Sequence, residues 1–176
     1  MREVVSVDEG LTDNERDTLD EDIPESFPVA VIMESRKSLN PWVDEVREII
    51  AVTSYNGVDQ HEGIASVINQ QADMQQLLFP GFRITLYADE CESYYHNMMS
   101  TEPRCYVVAS EDETGKLVPF LVTLSYDEAN AYLEGEETVF AVPVPPELYR
   151  WSEKFVLRNY VPEKRVKRKR QDWKKS

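Results

Sequence analysis

The chain has 176 residues, the size of one ordinary domain, and carries 33 Asp or Glu against 19 Lys or Arg for a net charge of −14. A 41% hydrophobic share suffices for a core, and no run approaches the roughly 18 apolar residues that would span a bilayer. With a pI near 4.6, the body would be repelled by a phosphate backbone, so nucleic-acid binding would fall to a local basic segment.

The start, Met1 to Glu9, has neither the long apolar stretch nor the small-residue cleavage site of a secretory leader. Two cysteines, Cys91 and Cys105, fit a reducing compartment. Cytoplasm is therefore the expected location. Residues 1–25 hold ten acids, two Arg and no aromatic residue. Such a stretch cannot bury enough apolar area to offset chain entropy. Residues 1–26 are expected to be a disordered acidic head, 27–162 a single α+β domain, and 163–176 a disordered basic tail.

Within the domain, Phe27 to Met33 is an apolar run of strand length, with Pro28 confined to its start. Ser38 to Trp42 reads as a turn because Pro41 moves Asn40 out of the helical region. From Trp42 to Tyr55 both periods fit, and the β-branched density of Val46 to Thr53 favours a strand. Asn56-Gly57 is a turn signal. Ile64 to Gln71 reads as a weak strand or short helix, and the glutamines at 70, 71, 75 and 76 as a polar connector.

Phe82 to Tyr87 alternates as a half-buried strand. Asp89 to Met99 has the composition of a short helix with Asp89 as N-cap. Cys105 to Ala109 and Leu117 to Leu124 form a hairpin across Thr114-Gly115, with Pro119 at an edge or bulge. A short helix capped by Ser125 or Asp127 runs through Leu133 to Gly135. Thr138 to Val142 is a further strand. Pro146 to Tyr160 is an amphipathic helix with Leu148, Trp151, Phe155 and Leu157 as its anchors. About six strands and three short helices, mostly strand after strand, predict an antiparallel sheet or partly open barrel.

Catalytic and metal chemistry find little support. Cys91, His96 and Cys105, even with His61, lack the closely spaced ligand pairs of structural zinc. On a helix, Cys91 and His96 would point about 140° apart, too far for a thiol–imidazole dyad. No phosphate-cradling glycine motif or nucleophile elbow is present. The acids at 89, 90 and 92 suit a helix start, and those at 134, 136 and 137 a solvated loop. No catalytic residue, metal or cofactor is assigned.

The aromatic stretch Tyr94-Tyr95-His96-Asn97-Met98-Met99 has two readings. One face must pack the helix down, and the same residue types favour interface cores. The tail is the second charged feature: Lys164, Arg165, Lys167, Arg168, Lys169, Arg170 and Trp173 lie in a segment of net charge +6. It could contact an acidic protein surface or anionic lipid, fold back loosely on the chain's own head as a solubilising tail, or meet phosphates with Trp173 stacked on a base.

Several motifs together resemble those of an uncharacterised bacterial family often encoded beside formate dehydrogenase genes. They are Pro28 to Glu34, Asn40-Pro41-Trp42, Gly81-Phe82 with the strand to Tyr87, Glu92 to Asn97, Glu102-Pro103-Arg104 and the basic end. The resemblance spans most of residues 28–170 and leaves the acidic head outside. It carries over no catalytic residues. It implies a non-enzymatic accessory protein that binds another protein, a component or maturation factor of a molybdenum-dependent formate dehydrogenase. Trp42, Tyr94, Tyr95, Asn97 and Arg104 are the candidate contact residues, with tail cations adding long-range attraction. The competing readings are a nucleic-acid-binding regulator using the tail and an enzyme of unknown reaction. Sequence leaves the oligomeric state open.

Overall fold

A computed structural model of the chain describes residues 23–43, 45–57 and 65–160. The acidic stretch to residue 22, His61 and the whole basic tail, with its seven candidate residues from Lys164 to Trp173, lie outside the described residues.

Among the described residues, seven strands form two antiparallel sheets. The first contains β1 (Ser26–Lys37), β2 (Glu45–Ser54), β3 (Ser66–Gln70) and β4 (Met74–Thr85), ordered β2-β1-β4-β3. The second contains β5 (Arg104–Glu111), β6 (Leu117–Thr123) and β7 (Thr138–Pro143), ordered β6-β5-β7. Strand β2 runs close to β7, and β4 close to β6, with no ladder across either seam. The α+β class with antiparallel pairing agrees with expectation. The described residues hold seven strands in two sheets, where about six in one sheet or a partly open barrel were expected.

The inner faces meet in one core. Val29, Val31 and Met33 of β1 pack with Ile49 and Val52 of β2, Ile84 of β4, Cys105 and Val107 of β5, and Val122 of β6. The two-residue period of β1 puts its odd positions inward, which is why each of those three side chains is fully buried. A register shift lets Pro80 and Gly81 of β4 oppose Ala30 alone, and Gly81 takes φ 92°, a bulge conformation open to glycine. That bulge bends β4, so the stretch from Met74 is already strand. The glutamines at 75 and 76, expected in a connector, lie opposite Ser35 and Glu34 of β1.

Among the described residues three α-helices complete the fold: α1 (Cys91–Met98), α2 (Tyr126–Glu134) and α3 (Pro146–Asn159). Helix α1 follows a 3-10 turn at Ala88–Glu90, and no side chain caps it, so Asp89 is not the N-cap. Ser125 does cap α2, accepting the Glu128 N–H at 3.1 Å. Helix α2 covers the outer face of the second sheet, where Val108 and Ala129 are buried. Helices α1 and α3 pack on each other. They close the end of the core where β1 begins, through the Trp151–Phe27 ring contact at 5.4 Å. On α3 the buried residues are Leu148, Trp151, Ser152 and Val156. Leu157, expected as an anchor, is 68% exposed because its neighbour Val156 takes the inward position.

Candidate protein-contact site

The five candidate contact residues do not share one surface. Trp42 sits in the β1–β2 turn, past the far end of β1 from the helices. Phe27, beside Trp151, and Lys37 are ten positions apart on β1, about 33 Å at about 3.3 Å per residue. Arg104 opens β5 at the helix-covered end, paired with Pro143 just before α3.

The Trp42 turn is built locally. The Ser38 hydroxyl oxygen accepts the Asn40 N–H at 3.0 Å, and the Asn40 side-chain oxygen accepts the Trp42 N–H at 3.1 Å. The Asn40 carbonyl takes the Val43 N–H at 3.1 Å. This is an Asx-type turn, and Pro41 restricts its backbone further. It holds Trp42 at 91% exposure with Leu39 fully exposed and Val43 beside them. Scattered exposed apolar residues need no explanation. Here the turn holds a Trp and a Leu together in solvent on a fixed backbone.

Helix α1 divides its residues by face. Tyr94 is buried, and its hydroxyl contacts Glu90 Oε2 at 3.3 Å and the Tyr87 N–H at 3.4 Å. Burial pushes its phenol far above the ordinary range. Asn97 is 7% exposed and spends its amide on backbone. Its Nδ2 donates to the carbonyls of Arg104 at 2.7 Å and Leu124 at 2.9 Å, and its Oδ1 accepts the Arg104 N–H at 2.9 Å. Tyr95, half-buried, lies against the ring of Tyr160 at 5.0 Å and that of His96 at 5.7 Å. Tyr94 and Asn97 thus tie α1 to the sheets, while Tyr95 remains at the surface.

Arg104 pairs with Glu102 and separates two hollows. The larger, of about 940 Å³, runs between the end of α1 and the start of α3. Its floor is Met98, Pro103, Pro143, Val144 and Tyr149, with Arg104 and Arg150 among its lining. The smaller, of about 460 Å³, includes Ser93, His96, Tyr106, Tyr126 and Asp127. Burial and the neighbouring Tyr126 raise the Tyr106 phenol, and Arg104 pulls it partly back. Sequence reading missed Leu39, Arg150 and Tyr126. Arg150 is four residues past Pro146 on a solvent-facing helix position, a spacing that carries no signal without the partner strand end.

The space between the sheets is filled with apolar side chains, and the buried polar side chains among the described residues are Ser35, Asn97, Thr123, Ser125 and Ser152. Both thiols are buried: Cys105 is pushed up to about 12 by desolvation, and Cys91 is raised by desolvation and by Asp89. A thiol reagent at neutral pH is therefore expected to modify the folded protein only as fast as it opens, and both cysteines at once in denaturant. Rapid labelling of native protein at Cys105 would contradict this burial.

Among the described residues no helix is long and apolar enough to cross a membrane. Comparison with curated proteins and with solved structures returned no match. Residues 28–170, from the first turns of β1 into the basic end, match the model of the family described as "Protein of unknown function (DUF3305)", and the chain belongs to that family.

Proposed function

We propose that the protein is a non-enzymatic accessory protein that binds another protein, and that Trp42 is its principal anchor. The supporting observation is the 91% exposed indole carried on a turn already fixed by three hydrogen bonds. Pre-ordering removes much of the entropy cost of binding, and Trp leads the residue types that dominate interface energies. Arg104 and Tyr95 belong to a separate surface at the opposite end, so a single small partner would not engage all three. The partner proposed from the resemblance is a cytoplasmic component or maturation factor of a molybdenum-dependent formate dehydrogenase.

The test is surface plasmon resonance of the full chain against purified formate dehydrogenase subunits and maturation factors. Binding is expected for one of them. Trp42→Ala is expected to weaken it about 30-fold, equivalent to about 2 kcal/mol. Because the indole touches little of its own protein, the thermal midpoint of the variant should match the wild type. Absence of binding to every such component removes the proposed partner. Undiminished binding by Trp42→Ala removes the turn as the anchor.

A further inference from the structure

We propose that β3 is a self-association edge, through which two copies of this chain pair antiparallel and join their four-stranded sheets into one of eight strands. Strand β3 pairs with β4 on one side, and among the described residues no strand pairs with its other side. All five of its residues are exposed, with Val67 at 51% and Ile68 at 49%. An edge of this kind presents unpaired backbone N–H and C=O groups and is usually blunted by charge or proline. Neither device is present here. From Ala65 to Ala72 the sequence is Ala-Ser-Val-Ile-Asn-Gln-Gln-Ala, eight residues without charge in a chain that is 30% charged.

That neutrality selects the occupant. A foreign peptide drawn to an acidic protein would be steered by positive charge, and β3 offers no acid to hold it or fix its register. A second copy needs none. Antiparallel pairing about a two-fold axis at Ile68 sets Ser66 against Gln70, Val67 against Asn69, and Ile68 against itself. Every cross-strand pair is neutral, and the β-branched residues sit at the centre. The register shift at Ile68 adds local twist and is the strand's one protective feature. Together with the small strand it implies a dissociation constant on the order of 10 μM, the weak class of interface.

Charge also supplies a signature. Two bodies of net charge −14 repel, so salt should strengthen this association, whereas binding through opposite charges weakens in salt. The experiment is sedimentation equilibrium of the full chain over a range of concentrations, in low salt and in about 0.5 M salt. The weight-average mass is expected to rise from 20.4 kDa toward twice that value, with the association constant several-fold higher in high salt. Ile68→Lys places two cations beside the axis and should cut association at least tenfold. Val67→Lys should do the same. Each variant should keep its thermal midpoint, since both side chains are half in solvent. Backbone amides of Ser66 to Gln70 should exchange more slowly as wild-type concentration rises. Monomer at all concentrations and salts overturns the proposal. So does a dimer that Ile68→Lys leaves intact, one that salt dissolves, or protection of β3 that appears only on adding an extended peptide.

Discussion

Alanine in place of Asn97 is expected to lower the free energy of unfolding by about 3–5 kcal/mol, the upper range for a single substitution. Asn97 joins three backbone groups that have little alternative. The Val144 N–H bonds to the Pro103 carbonyl on the β7 side, so the Arg104 N–H and carbonyl face the other way, toward β6, whose ladder with β5 stops at the Tyr106–Thr123 pair. The Asn97 amide donates to the Arg104 carbonyl at 2.7 Å and to that of Leu124 at 2.9 Å, and accepts the Arg104 N–H in return. Removing it leaves two carbonyls and an amide short of partners at a site 7% exposed. Thermal unfolding followed by circular dichroism should show a midpoint lower by about 10 °C, given about 2–4 °C per kcal/mol at this size. Asn97→Asp is expected to be as damaging, because it sets a carboxylate against two carbonyl oxygens. Its deficit relative to wild type should shrink as pH falls and the carboxyl gains a proton to donate. A loss under about 1 kcal/mol in both variants would mean that water or a backbone shift replaces the amide.

Trp151→Ala should cost about the same, about 3–5 kcal/mol, by a different route. The indole is 7% exposed, meets the Phe27 ring at 5.4 Å, and donates from Nε1 to the Pro24 carbonyl at 2.9 Å. Its removal opens a cavity between α3 and the start of β1, and also frees the segment before β1. Trp151→Phe separates the two contributions. It keeps much of the ring and loses the donor, so a cost of about 1–2 kcal/mol is expected. Denaturant titration at constant slope is the check. Equal losses for Phe and Ala would place the whole effect on the hydrogen bond.

Phe27 to Met33 and Cys105 to Ala109 were legible as short apolar runs of strand length, because both faces are covered there: Val29, Ala30 and Val31, and Val107, Val108 and Ala109, are all buried. So were the Ser125 cap and the hairpin turn, where the Asp112 side chain accepts the N–H groups of Thr114 and Lys116 at 2.8 and 3.0 Å. Gly115 takes φ 75° there, as the turn demands. The start of β4 was not legible. Gln75 and Gln76 are polar because each is only half-buried, and the partner strand that makes them strand residues lies some forty positions earlier in the sequence. The placement of the contact candidates was illegible for a related reason. Tyr94 and Tyr95 are adjacent in sequence and opposite in fate, because a helix turns them about 100° apart. Asn97 looked like surface chemistry, since only the backbone ends of β5 and β6 reveal what its amide satisfies.

The latch between Trp151 and Pro24 also brings together the two ends of the described body. Ile23, the first described residue, shares a hollow with Phe155, Arg158 and Asn159 at the end of α3. The start of the described body and the last turn of α3 are therefore held side by side, although nearly the whole domain lies between them in sequence. Loosening either end of the described body thereby uncovers the other, so the two are expected to open as one unit in hydrogen exchange.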